Sequence, residues 1–312
     1  MRTALCAAAA AACVLGCAQP TRAAAFEPEA VVRRVDRVAT LALARAGERL
    51  VAAGERGRIL VSADHGATWK VAASSTHQTL TSLAFTDAST GFATGHQGTL
   101  LRTEDGGITW SKARVDMPRR QALFAVHVAG SRGIAVGAYG SYLESADGGR
   151  TWRSRPIGPA DFDRHLTGIA AVGLDGLIVA GEAGTLLASS DGGARWQALK
   201  SPYDGSFFGA IGLANGSVIA YGMRGNAYRS ADFGKSWRRI DLGGYKGALQ
   251  GASEAPDGSV TLSGADGLVA VSRDGGATFE SRPIASRITV SAIQRTPDGW
   301  VVASPAGLRV VH

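Results

Sequence analysis

Thr103-Glu104-Asp105-Gly106-Gly107-Ile108-Thr109-Trp110 is one of six copies of a single phrase. The others begin at Ser62, Ser145, Ser189, Ser230 and Ser272 and end on Trp69, Trp152, Trp196, Trp237 and Phe279. Each is built on one aspartate: Asp64, Asp105, Asp147, Asp191, Asp232 and Asp274, spaced by 41, 42, 44, 41 and 42 residues. A period of about forty residues marks a repeat architecture, each repeat one supersecondary unit that buries its apolar face against its neighbours.

Around each phrase the same pattern returns. In the second repeat Leu80 to Phe85 alternates as a strand, Gly91 to Gly95 reads as a second, Thr99 to Thr103 as a third and Ile108 to Lys112 as a fourth. Glycine and aspartate punctuate the runs. Four short strands per forty residues describe a propeller blade. A second marker, Gly-x-x-Gly between the second and third strands, occurs at Gly54/Gly57, Gly95/Gly98, Gly137/Gly140, Gly181/Gly184, Gly222/Gly225 and Gly264/Gly267. A degenerate copy, Ser304-Pro305-Ala306-Gly307, follows 40 residues after the sixth, and no turn phrase comes after it. The fold expected is therefore an all-β, seven-bladed propeller of four-stranded blades. An N-terminal strand near Glu29 to Val35 is expected to complete the last blade and leave no open edge.

The phrase reads as structure. An aspartate at a turn accepts backbone N–H groups two or more residues on, the glycines take angles that a Cβ penalises, and the closing aromatic is expected to pack between blades. Calcium binding is disfavoured, because each phrase brings one carboxylate and calcium takes about 6–8 oxygens.

Residues 1–25 read as a signal peptide: Arg2, an apolar run from Leu5 to Gly16 too short to span a bilayer, and Ala23-Ala24-Ala25 before Phe26. Val14-Leu15-Gly16-Cys17 offers a competing lipoprotein site with Cys17 as the lipidated residue. Residues 26–312 then form one propeller domain, exported and periplasmic, with anchoring by lipid as the alternative. All three cysteines fall in the leader, so the mature chain has no disulfide, thiol nucleophile or cysteine-bound metal. The net charge of +7 drops to +5 without Arg2 and Arg22. Arg33-Arg34, Arg37 and Arg119-Arg120 are short local clusters with no dense basic run, which gives nucleic-acid binding no support; they read as solvated surface or as contacts to an anionic partner.

In a propeller the Gly-x-x-Gly loops and the blade-to-blade connections share one face, and the aspartate turns lie on the other. The candidate binding rim is Arg56, His77, His96, Arg120, Tyr139, Asp163, His165, Glu182, Tyr203, Arg224, Lys246, Asp266 and Arg287. These positions differ from repeat to repeat while the frame repeats, and such divergence is where a repeat protein places function. The plain alternative is polar filling of exposed loops. No nucleophile elbow, histidine pair at ligand spacing or cofactor motif is present, so no catalytic residue, metal or cofactor is expected. Glycoside hydrolysis needs two carboxylates about one bond; Glu55, Glu182, Asp266, Asp163 and Asp204 are the candidates.

The phrase matches the Asp-box, or bacterial neuraminidase repeat. The longer string from Ser82-Leu-Ala-Phe85 through Gly91-Phe-Ala-Thr-Gly95-His96-Gln-Gly98 to Asp105-Gly-Gly107-Ile-Thr-Trp110 resembles the photosystem II stability/assembly factor family. That resemblance implies a non-enzymatic, exported, seven-bladed scaffold, monomeric, that assists assembly of a membrane protein complex. Thylakoid-lumen location follows only for a phototroph; elsewhere the implied partner is an exporter of the RND type. A sialidase-like glycan-active enzyme is the alternative, weakened by six-bladed rings in that family and by Leu60 and Thr289 following Arg58-Ile59 and Arg287-Ile288 where a proline is required. A carbohydrate-binding ring is the third, and needs exposed aromatic platforms such as Tyr139, Tyr203 and Phe207.

Overall fold

The computed structural model describes residues 35–118, 120–159, 161–284 and 287–311. The leader, Cys17, Arg33, Arg34 and Arg119 lie outside them, as does most of the expected closing strand. The described chain forms seven antiparallel sheets in sequence order. Blade 4 shows the unit: Leu166–Val172 innermost, then Gly176–Gly181, Leu186–Ser189 and Gln197–Ala198 at the rim. In blades 1 to 6 the second strand is the most buried, since it has sheet neighbours on both edges and blades on both faces. Gly91–Gly95 and Val218–Gly222 are buried at every residue.

Two blades depart from the four-stranded expectation. Ala73–Ser74, in the connection from blade 1, pairs parallel with Thr109 and Trp110 of blade 2. Arg114–Asp116 pairs parallel with Thr151 to Arg153 of blade 3 in the same way. Each gives its blade a fifth strand and covers an outer edge. Blade 7 has three strands among the described residues, Ala292–Thr296, Gly299–Ser304 and Gly307–Val311. The short helical turn Val35–Arg37 precedes blade 1, and Val35 and Val38 pack with Val301, Ala303 and Leu308 of blade 7.

Apolar clusters sit between blades, and the closing aromatic of each turn phrase joins one. Trp69 packs with Val301 and Leu308 of blade 7, Trp110 with Val51 and Ile59 of blade 1, and Trp152 with Phe92 and Leu100 of blade 2. Trp196, Trp237 and Phe279 take the same place against blades 3, 4 and 5, less completely buried. The innermost strands of all seven blades ring a central channel of about 390 Å³, into which Thr81, Phe124, His127, Thr167, Gln250 and Ser291 contribute. Hydroxyls on these strands cross to the next blade: Thr81 Oγ1 donates to the Leu123 carbonyl (2.7 Å) and Thr167 Oγ1 to that of Phe207 (2.9 Å).

Candidate binding face

The Gly-x-x-Gly loops are tight helical turns, and the structure shows why both glycines are needed. The first is extended, but a Cβ on Gly54, Gly137 or Gly222 would lie 2.0–2.3 Å from the carbonyl oxygen of the residue preceding its blade's innermost strand. The second is left-handed, and a Cβ on Gly57 or Gly225 would meet the carbonyl of Thr76 or Tyr245 at 2.1 or 2.2 Å. Its N–H donates to the connection that enters the next blade, as in Gly98 to Gln121, Gly140 to Arg164, Gly184 to Gly205 and Gly225 to Gly247. Loops and connections are thus tied into one face.

Sequence reading named Arg56, Tyr139, Arg224 and Asp266 in these loops but not the backbone conformation that they share. Arg56, Gln97, Tyr139, Ala183, Arg224 and Asp266 all have φ between 49° and 58°. Non-glycine residues seldom adopt this region, and such outliers concentrate at functional sites. Each tip therefore raises one side chain from the face, and five of the six differ from alanine.

The aspartate turns lie on the opposite face, bonded to the hairpin between the first and second strands: Gly106 N–H to Ser89, Gly148 to Ser131 and Gly192 to Asp175. Each carboxylate is consumed locally. In blade 3, Asp147 accepts the Ser145 hydroxyl (2.8 Å), the Thr151 N–H (2.9 Å) and the Thr151 hydroxyl (2.7 Å), while Ser145 Oγ accepts the Gly149 N–H (2.9 Å). These bonds, the Thr151 hydroxyl first, hold the Asp147 carboxyl well below the usual carboxylate range. Ser236 does the same for Asp232, lowering it to about 2. In blade 4, Arg195 replaces the Thr and leaves only its N–H on Asp191. Trp69, Trp110 and Trp152 donate Nε1–H to the phrase's second glycine.

Of the candidate rim residues, Arg56, His77, His96, Arg120, Asp163, Arg224, Lys246, Asp266 and Arg287 are exposed. Tyr139 is 61% exposed. His165 and Glu182 are half-buried and joined: the His165 N–H donates to Glu182 Oε2 (2.9 Å), and the Glu182 N–H donates to the His165 carbonyl. Tyr139 packs its ring edge-on to His165 at 4.7 Å, with Phe124 on the same imidazole at 6.1 Å. Tyr203 is half-buried: its ring stacks on Tyr228 and meets Phe207 edge-on. Phe207 is fully buried. Tyr245 props the sixth loop by donating its hydroxyl to the Ala265 carbonyl (2.9 Å); burial, with Asp266 adding, pushes its pKa to about 12.

The structure gathers His77 and Arg120 into one groove of about 450 Å³ beside the second loop, together with Gln78, Gln97, Lys112 and Met117. Its lining carries basic and amide groups and no carboxylate. Lys246 lines a smaller groove with Tyr245, Arg239 and Asp241. The remaining rim residues are spread around the face. Among the described residues no group of three or more His, Cys, Asp or Glu side chains gathers as a metal site would require, and no helix is long and apolar enough to cross a membrane.

Solved structures similar to this one are propellers. A YCF48 bound to a D1 peptide is 16% identical, with a TM-score of 0.69 over 88% of this chain and 92% of that one. YCF48 from Cyanidioschyzon merolae is 15% identical, with a TM-score of 0.67 over 87% and 94%. The WD40 propeller domain of Doa1 reaches 0.68 at 10% identity over 87% and 91%, so these likenesses speak for the fold alone. No curated protein matches the chain. The family described as photosynthesis system II assembly factor YCF48 matches residues 61–238, more than half of the sequence and five of its six turn phrases. With that match, the seven blades and the repeated turn network, the chain belongs to the photosystem II assembly factor YCF48 family.

Proposed function

We propose that this protein is a non-enzymatic, exported scaffold that binds a membrane protein through its loop face and assists assembly of the complex to which that protein belongs. One observation carries the reading: a uniform frame raises unlike side chains (Arg56, Gln97, Tyr139, Arg224 and Asp266) from left-handed tips on a single face. The carboxylate-free groove with His77, Lys112 and Arg120 suits an extended polypeptide segment bearing acidic or amide groups. Family membership supports the assembly role, and one similar propeller has been solved with a D1 peptide bound. The partner of this chain is proposed only as a membrane protein reached from the periplasmic side, an RND-type exporter in a non-phototroph. Export, cleavage before Phe26 or lipidation at Cys17, and a monomeric state belong to the same proposal.

The chemistry of the face favours binding over hydrolysis. None of the five cavities described is lined by two carboxylates, the arrangement a glycosidase requires, and Glu182 is engaged by a backbone N–H. Phe207 is fully buried and Tyr203 is half-buried against the same cluster, which weakens a carbohydrate platform. The test is site-specific photo-crosslinking in cells, with the crosslinker at Arg56 or Arg224 on the loop face and at Ala146 beside an Asp-box turn. An integral membrane protein captured from the first two positions and not from the third is expected. Capture from Ala146 alone, or glycoside turnover abolished by Glu182→Gln, would overturn the proposal. Metabolic labelling with a fatty acid, compared between wild type and Cys17→Ser, decides the mode of attachment.

A further inference from the structure

Two of the left-handed tips are fastened to the next blade by a side chain. The Ala183 N–H donates to Ser206 Oγ at 3.4 Å, and the Tyr139 N–H donates to His165 Nδ1 at 3.0 Å. Ser206 and His165 hold equivalent places, each immediately before the innermost strand of its blade. At the other equivalent positions stand Ala39, Thr79, Ala122 and Ala248. The two fasteners differ in one chemical respect. A hydroxyl oxygen accepts a hydrogen bond at any ordinary pH, whereas an imidazole nitrogen accepts only while it carries no proton.

The Tyr139 N–H fixes the neutral tautomer of His165: Nδ1 is bare and the proton sits on Nε2. The next proton must then be taken up by Nδ1, the atom already serving as acceptor. Its new N–H would oppose that of Tyr139 and has another destination. Glu182 Oε2 lies 3.9 Å from Nδ1. The other groups facing the ring are the Tyr139 phenol ring and Phe124. The adjacent Arg164 is turned to the Ala183 carbonyl, to which its Nη1 donates at 3.0 Å. Histidine is the side chain whose charge ordinarily changes between about pH 5 and 8.

We propose that protonation of His165 unfastens the Tyr139 tip, so that the loop face presents its exposed tyrosine in one fixed geometry at neutral pH and loses that geometry in mild acid. The use of this latch in partner binding rests on the function proposed above; the latch itself is a property of the free protein and can be tested there.

The experiment is nitrogen–proton NMR of the mature chain, Phe26 to His312, titrated from about pH 8 to pH 5. At the upper end the His165 ring should show an unprotonated Nδ1 and a protonated Nε2. As the ring takes up its proton, the Tyr139 amide resonance should move with the same midpoint. Its hydrogen exchange, corrected for the intrinsic pH dependence, should speed up several-fold, to about tenfold. His165→Ser, which copies the Ser206 arrangement, should keep the Tyr139 amide protected and flatten its pH response. A Tyr139 amide that ignores the His165 titration, or that titrates unchanged in His165→Ser, overturns the latch. Crosslinking from Tyr139 at pH 7.5 and 5.5 then separates the two claims. A titrating amide with no partner captured at either pH removes the proposed function of the face and leaves the latch standing. A partner captured equally at both pH values, with a silent amide, does the reverse.

Discussion

Trp152→Ala is expected to destabilise the ring by about 3–5 kcal/mol. The indole is 1% exposed and meets Phe92 of the preceding blade edge-on, with centroids 6.2 Å apart at 76°. Its Nε1–H donates to the Gly149 carbonyl at 2.9 Å. An aromatic side chain of this kind removes about 150–250 Å² from water, which at ~25 cal/mol per Å² corresponds to about 4–6 kcal/mol as an upper limit. Neighbours have little room to collapse into the space, because the site is shared between two sheets held by their own ladders. Gly133 forms part of its wall, where a Cβ would stand 2.7 Å from the indole. Trp196 provides the control. It is only half-buried and donates instead to the Tyr142 hydroxyl at 3.2 Å, so Trp196→Ala should cost less, about 1–3 kcal/mol. Equilibrium urea unfolding followed by far-ultraviolet circular dichroism measures both without relying on the deleted fluorophores. A loss below about 1 kcal/mol for Trp152→Ala, or one no greater than that of Trp196→Ala, would refute the idea that these plates weld the blades.

Three further outcomes are expected. The carboxyls of the aspartate turns have folded pKa values below their unfolded ones, so their contribution is complete above the ordinary aspartate range and disappears as pH falls through the lowered values; urea midpoints should therefore fall steeply below about pH 4 and less steeply in Asp147→Asn, and an unchanged slope in that variant would count against the turn network. A chain begun at Val35 should show lower hydrogen-exchange protection than one begun at Phe26 along Gly307–Val311, the strand that ends the seventh sheet, three-stranded among the described residues; equal protection with and without the segment would discard N-terminal closure. Arg224→Gly should raise stability modestly, by up to about 1 kcal/mol, while reducing partner crosslinking from neighbouring rim positions; a stability loss would show that the left-handed tip carries no strain.

The parts of the fold that were legible are those whose residues act locally. Ser145, Asp147, Gly149, Thr151 and Trp152 bond to one another within a few positions of chain, so the phrase needs no distant partner to be recognised and counts six of the seven blades directly. The fifth strands of blades 2 and 3 were not legible. Ala73–Ser74 and Arg114–Asp116 are too short to show a period, and what makes them strands is the open edge of a neighbouring blade. The partial burial of Tyr203 was not legible for the related reason that it is decided by Tyr228 and Phe207, which come from strands of the next blade. The candidate face was legible as a set of loops, since two glycines announce each tip. Its working pairs were not: Tyr139 and His165 are 26 residues apart and meet only because adjacent blades bring a tip and a connection together.

The left-handed tips sharpen what those loops are for. Glycine would occupy such a position without strain, whereas an L-residue with a Cβ costs roughly 1–2 kcal/mol there. Part of that is offset because glycine loses more chain entropy on folding, about 0.5–1 kcal/mol relative to alanine. A net penalty remains at Arg56, Gln97, Tyr139, Arg224 and Asp266, and the frame tolerates it because the flanking glycines and their N–H bonds already determine the turn. Ala183 shows that the turn closes equally well with no functional group at the tip. The long side chains are therefore not required by the turn that holds them. Their projection from the face that also carries the basic groove is best explained by contact with something outside the ring, and the frame's rigidity is what lets each blade supply a different contact without altering its neighbours.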